Sequence, residues 1–150
     1  LKGDWVLAPA AQQEGGATKK GPAAKIIGTD NTAMSFKLVG KGTTVQESLL
    51  PDTPKEMVTM YHCKDKTCNT LAATHYCAKK NQPQLQADTT LRKKIVMNCD
   101  MNSELCTSGD GHVHRITHEV SDDGNRLKTT YTIFQDGKHQ KNSVYHFVRK

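Results

Sequence analysis

The chain of 150 residues is predicted to be all-β: a single closed antiparallel meander β-barrel of about nine to ten strands, lipocalin-like in outline. Three observations predict it. Apolar and polar residues alternate with period two along most of the chain after Lys25, the pattern of strands with one buried face. Turn signals ("GKG", "PDTP", "DDGN", "QDGK") separate the alternating runs. No stretch carries the 3.6-residue periodicity of a long amphipathic helix. Strands joined by tight turns are antiparallel neighbours, and closing them into a barrel removes the exposed edges of an open sheet. The length suits one core, so residues 1–150 read as one domain.

The elements follow in order. "GDWVLAP" is a short strand through Trp5. Residues 9–24, rich in Gly, Ala and Lys, show no periodicity and are expected to form a flexible loop, of which Pro9 to Pro22 could cover the barrel mouth. "MSFKLV" sets Met34, Phe36 and Leu38 on one face, and "TTVQESLL" sets Val45, Glu47 and Leu49 on one face. A carboxylate on an apolar face needs a partner or a proton, which makes Glu47 a candidate functional residue. "EMVTMYHC" and "TLAATHYCA" read as a hairpin. If Cys63 sits opposite Cys68, then Val58, Met60, His62, Leu71, Ala73, His75 and Cys77 face inward, while Thr59, Tyr61, Thr74 and Tyr76 face outward. A slip of one residue exchanges the faces. "PQLQA" and "KKIVMNC" continue the meander, with a short helical turn expected at residues 102–106. In "HVHRITHEV" the residues His112, His114, Ile116, His118 and Val120 share the inner phase; "NRLKTTYTIFQ" and "KNSVYHFVRK" complete the chain.

The formal charge of +6 is dispersed over Lys19-Lys20, Lys64, Lys66, Lys79-Lys80, Arg92-Lys93-Lys94 and Arg149-Lys150. A nucleic-acid surface gathers such charge into a stripe with stacking aromatics, so no nucleic-acid partner is expected. No apolar run is long enough for a membrane helix. The first residue is Leu1 rather than Met, which suggests a processed product. Cys63 and Cys68 bracket "KDKT", and Cys99 and Cys106 bracket "DMNSEL". Two disulfides are the expectation, with a metal site built on these cysteines as the alternative. Cys77 is then the odd thiol, and a secreted or periplasmic location follows.

The strings "EMVTMYH", "THYCAKKNQP", "HVHRIT" and "QDGK" occur in an order that resembles a bacterial family of lipocalin-like β-barrel domains of unknown function. The likeness covers residues 34–150 and implies a calycin-type barrel, distantly similar to the haem-binding nitrobindins. It implies no established activity. It marks Glu47, Tyr61, His62, His75, Tyr76, Cys77, Asn81, Gln82, His112 and His114 as candidate ligand-binding residues. The chain departs from the family pattern at Cys63, Cys68, Cys99 and Cys106, and at His118, where an apolar residue is usual.

Three readings follow. The first is a barrel that binds a small, partly apolar molecule, with Glu47, His75, His112 and His114 as its fixed polar groups. The same residues in a filled polar core would specify the fold without a ligand. The second is a metal or haem barrel. Zinc would take His75, His112 and His114 with Cys77 as a fourth ligand, and haem would take His146 by analogy with nitrobindins. The third is an enzyme with Cys77 as nucleophile and His62, His112 or His114 as base. No motif fixes a reaction, and no catalytic residue is assigned.

Overall fold

The computed structural model describes residues 1–87 and 93–150; Arg92, named above among the basic residues, lies outside them. The strands are β1 (Gly3–Leu7), β2 (Met34–Val39), β3 (Thr44–Leu49), β4 (Met57–Cys63), β5 (Leu71–Tyr76), β6 (Gln84–Ala87), β7 (Lys94–Cys99), β8 (His112–Val120), β9 (Arg126–Gln135) and β10 (Lys138–Arg149). Each pairs antiparallel with its sequence neighbours, and β1 closes the sheet by pairing with β10 as well as β2. The fold is therefore a closed ten-stranded meander barrel. Every interior strand finds two partners, which leaves no open edge to protect.

The alternation read from the sequence sets the inward phases. Leu127, Thr129, Tyr131 and Ile133 of β9 are buried, as are Tyr145 and Phe147 of β10. Tight turns hold the register. Asp136 (φ 52°) and Gly137 (φ 70°) join the paired residues Gln135 and Lys138. Two positive φ values in a two-residue hairpin match the right-handed strand twist, which is why Asp-Gly stands there. Trp5 is wholly buried at the β1 seam. The Arg149 guanidinium lies 4.2 Å over its ring, and the same side chain donates to Lys2 O and Gly124 O. The first and last strands are thus stapled together by one side chain.

Three expectations are corrected. Residues 9–24 are not a featureless loop: a 3-10 turn (Ala10–Gln12) and the start of α1 (Gly21–Ile26) fall there, with Thr18 and Ala23 buried. Gln13 donates to Ala8 O and His146 O and accepts from His146 N, so this segment is laced to β10. Pro22 gives α1 its fixed first turn. The β4–β5 register also differs. Cys63 pairs with Leu71, Tyr61 with Ala73 and Thr59 with His75. Cys63 and Cys68 are bonded, but inside the turn, with Cys68 in the left-handed region at φ 54°. The odd-numbered shift turns β4 over: Tyr61 and Thr59 face inward, while His62 is exposed. Ala73 and His75 of β5 are buried and Tyr76 is half exposed. Finally, β8 carries a bulge at His114, between the pairs Val113–Ile133 and Arg115–Thr132. The inner phase of Ile116, His118 and Val120 passes to Val113 beyond it, so His112 pairs with Phe134 in the outward phase.

The second cysteine pair, Cys99 and Cys106, is also bonded; Cys106 lies in the single-turn helix α2 (Glu104–Thr107). Among the described residues no helix is long and apolar enough to cross a membrane.

Candidate functional site

Among the described residues, nothing covers the end of the barrel where β2 finishes and β3 begins. A cavity of about 430 Å³ enters there, walled by Phe36, Leu38, Val45, Leu71, Ile95 and Val120, with Lys2, Lys37 and Lys93 at its rim. Period-two alternation brings one or two apolar side chains from the ends of β2, β3, β5, β7 and β8 to this ring. Leu38, 53% exposed, stands at the lip. No residue of the 9–22 segment lines the cavity, so that segment does not cover the mouth. α1 instead approaches Lys55 in the β3–β4 connection, at the other end of those strands.

The floor is polar. Tyr61 and His118 line it, and Glu47 sits beneath them, fully buried. Tyr61 donates its hydroxyl to Glu47 Oε2, and Tyr131 donates to Glu47 Oε1 at 2.5 Å. His118 Nε2 lies 3.1 Å from Glu47 Oε2 and 3.0 Å from the Tyr61 hydroxyl, while its Nδ1 lies 2.9 Å from Thr129 Oγ1. The group joins β3 and β4 to β8 and β9 across the lumen. Burial alone would push the Glu47 carboxyl up. The His118 charge and the hydrogen bonds from His118, Tyr131 and Tyr61 overcome it and hold the carboxyl below its usual range. Burial, and then the Glu47 charge, push both phenols well above their ordinary value, so they remain donors. The result is a buried carboxylate with its protein partners already in place.

The residues expected from the sequence separate into groups. Tyr61 lines the cavity and Glu47 lies one bond below it. His75 is fully buried within the barrel, its Nδ1 2.8 Å from Thr59 Oγ1 and its ring 5.7 Å from that of Tyr131; its Nε2 has no partner among the described residues. Burial lowers its pKa, against a smaller opposing pull from Glu47. His62 is exposed, its Nδ1 3.0 Å from Cys63 O, and Tyr76 points outward. Cys77, Asn81 and Gln82 belong to the β5–β6 turn. Cys77 N donates to Asn81 O, Asn81 Nδ2 donates to Gly111 O, and Gln82 is exposed. Burial raises the half-buried Cys77 thiol, so it is not an activated thiolate. His112 and His114 stand at the far end from the mouth, bonded to one another at 2.9 Å.

The zinc set of His75, His112, His114 and Cys77 is therefore not assembled. The β8 bulge puts His112 in the outward phase opposite Phe134, and the ligand atoms gathered with it and His114 are those of Cys99, not of His75 or Cys77. The haem expectation at His146 does not fit either. His146 lies between the buried Tyr145 and Phe147, hence on the outer face, and its ring is 3.1 Å from Glu14 Oε1. His118, placed in the inner phase from the sequence but given no site role, belongs to the floor, as do Tyr131 and Thr129, which the sequence reading does not single out. The signal was present: His118 shares its phase with Ile116 and Val120, and Tyr131 shares its phase with Leu127 and Ile133. Compared with known proteins, the chain matches no family model and no curated protein.

Proposed function

We propose that this barrel binds a small, mostly apolar molecule at its mouth, with a polar end. The observation that carries the reading is the cavity of about 430 Å³, apolar in its walls and floored by Tyr61 and His118. A concave site with apolar walls and a few fixed polar groups is the common form of a small-molecule pocket. The floor is pre-organised, because Glu47 and Thr129 fix the ring of His118 before any ligand arrives. Lys2 and Lys37 at the rim favour a molecule whose outer end is anionic. The likeness to lipocalin-like domains belongs with this reading, as does a secreted or periplasmic location, which the two disulfides support.

The test is a native mass of the protein purified without reductant, a denatured mass, and a titration with a fluorescent long-chain carboxylate. A mass excess lost on denaturation, or saturable binding at one site per chain, is expected. Val45→Trp, which fills the cavity, should weaken that binding about tenfold or more, ~1.4 kcal/mol, with an unchanged far-UV spectrum. No mass excess together with no saturable binding would sink the reading and leave a structural barrel. Binding indifferent to Val45→Trp would place the ligand elsewhere.

A further inference from the structure

At the closed end, four side chains with metal-binding chemistry meet within a short piece of chain. Cys99 ends β7, Cys106 sits in α2, His112 begins β8 and His114 occupies the bulge. One ligand atom each from Cys99, His112 and His114 lies within 4.8 Å of the others. Cys106 Sγ is bonded to Cys99 Sγ, so it is part of the same knot. Cys99, Cys106 and His112 are buried, and only His114 is half exposed.

We propose that Cys99, Cys106, His112 and His114 form a redox-gated Cys2His2 zinc site. In the oxidised chain the two cysteines are a disulfide and the site is closed to metal. In the reduced chain the same four residues take one zinc ion. This site is separate from the mouth and does not rest on what binds there.

The imidazoles are already set for this. His112 Nδ1 lies 2.7 Å from Asp110 O, and a carbonyl only accepts, so Nδ1 carries the proton and Nε2 presents a lone pair. That lone pair accepts from His114 Nδ1 at 2.9 Å. The two nitrogens therefore face each other, and one proton holds the place between them. Phe134 stacks on the His114 ring at 3.8 Å and 9°, fixing its plane. A carbonyl that orients a ligand imidazole through its other nitrogen is a recurrent support of metal sites. In a tetrahedral zinc site, ligand nitrogens stand roughly 3.4 Å apart and ligand sulfurs roughly 3.8 Å apart, from bond lengths near 2.1 and 2.3 Å. The nitrogens need to open by about half an ångström, and both rings need to turn toward the metal. The sulfurs need to part from bonding distance, and the single turn of α2 between them is the element that has to move. The bulge earns its place here: without the extra residue, His114 would follow the strict pleat of β8, about 6.6 Å from His112 along the strand.

The chemistry balances with a dithiol reductant. Two electrons and two protons pass from the dithiol to the Cys99–Cys106 bond, giving two thiols and an oxidised cyclic disulfide. Zinc then binds the two sulfurs and releases their two protons. It also displaces the proton shared by His112 and His114, which moves to His114 Nε2 on the exposed side of that ring.

The experiment uses the full chain carrying Cys63→Ser, Cys68→Ser and Cys77→Ala, so that Cys99 and Cys106 are the only thiols. Cobalt(II) is the spectroscopic probe and zinc its competitor. After dithiol reduction and its removal under argon, one cobalt per chain is expected, with intense tetrahedral d–d bands and sulfur-to-cobalt charge transfer, both displaced by one equivalent of zinc. The oxidised chain should bind at least about 100-fold more weakly, because two thiolates are missing. His114→Ala, a change at the half-exposed position, should weaken the reduced site and shift its d–d bands. His112→Gln provides a second reading if either variant folds poorly. Equal affinity in the two redox states would overturn the proposal. So would octahedral spectra, or spectra unchanged in both histidine variants.

Discussion

At the mouth, His118 reaches across the lumen to a carboxylate on the facing wall. At the closed end, His112 reaches only to its neighbour two residues on. The first contact joins residues 71 positions apart and exists only once the barrel has closed. The second forms within a single bulge, next to a disulfide spanning seven residues. Polar groups buried by long-range packing depend on the whole fold. Polar groups gathered by a local bend and a covalent bond do not. One consequence is that the mouth should fail as a unit, while the closed end should tolerate damage without disturbing the mouth.

The largest test breaks the long-range side. Glu47→Ala leaves the Tyr61 and Tyr131 hydroxyls and His118 without their common acceptor. Removing one member of a buried charged network costs about 3–5 kcal/mol, read as a drop in the urea midpoint. Glu47→Gln keeps the shape and one acceptor oxygen, so its loss should be smaller, about 1–3 kcal/mol. The pH dependence follows from the lowered Glu47 value. A carboxyl lowered by folding contributes stability that is present above its unfolded range and is lost as the pH falls through its folded value. The wild type should therefore lose this contribution only in acid, and Glu47→Gln should show a shallower acid limb. An equal limb in both would mean that the network does not hold the carboxylate charged.

The next test breaks the local side. Replacing Cys99 and Cys106 together by Ala should cost about 2–3 kcal/mol, the loop-entropy value for so short a ring. Binding of the fluorescent carboxylate at the mouth should stay within about twofold, a change of ~0.4 kcal/mol. Replacing Cys63 and Cys68, both exposed, should cost no more than about 2 kcal/mol. If the Cys99–Cys106 variant loses mouth binding, the two ends are coupled and the contrast between them fails.

The same contrast explains what the sequence could reveal. Alternation in β9 and in the second half of β8 is unbroken, so Leu127, Tyr131, Ile116 and His118 could be assigned to the interior from pattern alone. The β4 face could not. Two cysteines five residues apart suggest a cross-strand bridge, but they bond inside the turn while Cys63 pairs with Leu71. That shift exchanged Tyr61 with His62. The bulge at His114 has no glycine or other local mark, so the period-two reading carried His112 and His114 inward. The six-residue α1 is too short for a helical period to show, and only its Gly-Pro start hints at it. Long-range partners such as Glu47 and His118 leave no trace in spacing; an acidic residue in an apolar phase signals only that some partner exists.

The smallest effect belongs to His75, which lies between the two ends and shares features of both. It is buried like His118 but has no direct bond to Glu47, and its Nε2 finds no partner among the described residues. Burial is the larger influence and disfavours the imidazolium; the Glu47 charge opposes it and loses. The sign follows. Below about pH 6.5, the ordinary histidine value, the unfolded chain takes up a proton that the folded ring resists. Stability should therefore fall as the pH drops from there toward the folded value, before the carboxylates titrate. His75→Gln keeps an acceptor for Thr59 and removes the titration. It should cost about 1 kcal/mol near neutral pH, with a flatter profile than the wild type as the pH falls below about 6.5. Urea midpoints of both proteins, measured through that range, decide the matter. Parallel profiles would mean that the His75 ring accepts its proton inside the barrel. The Glu47 network would then serve a second histidine without touching it, and the field of the carboxylate would offset burial.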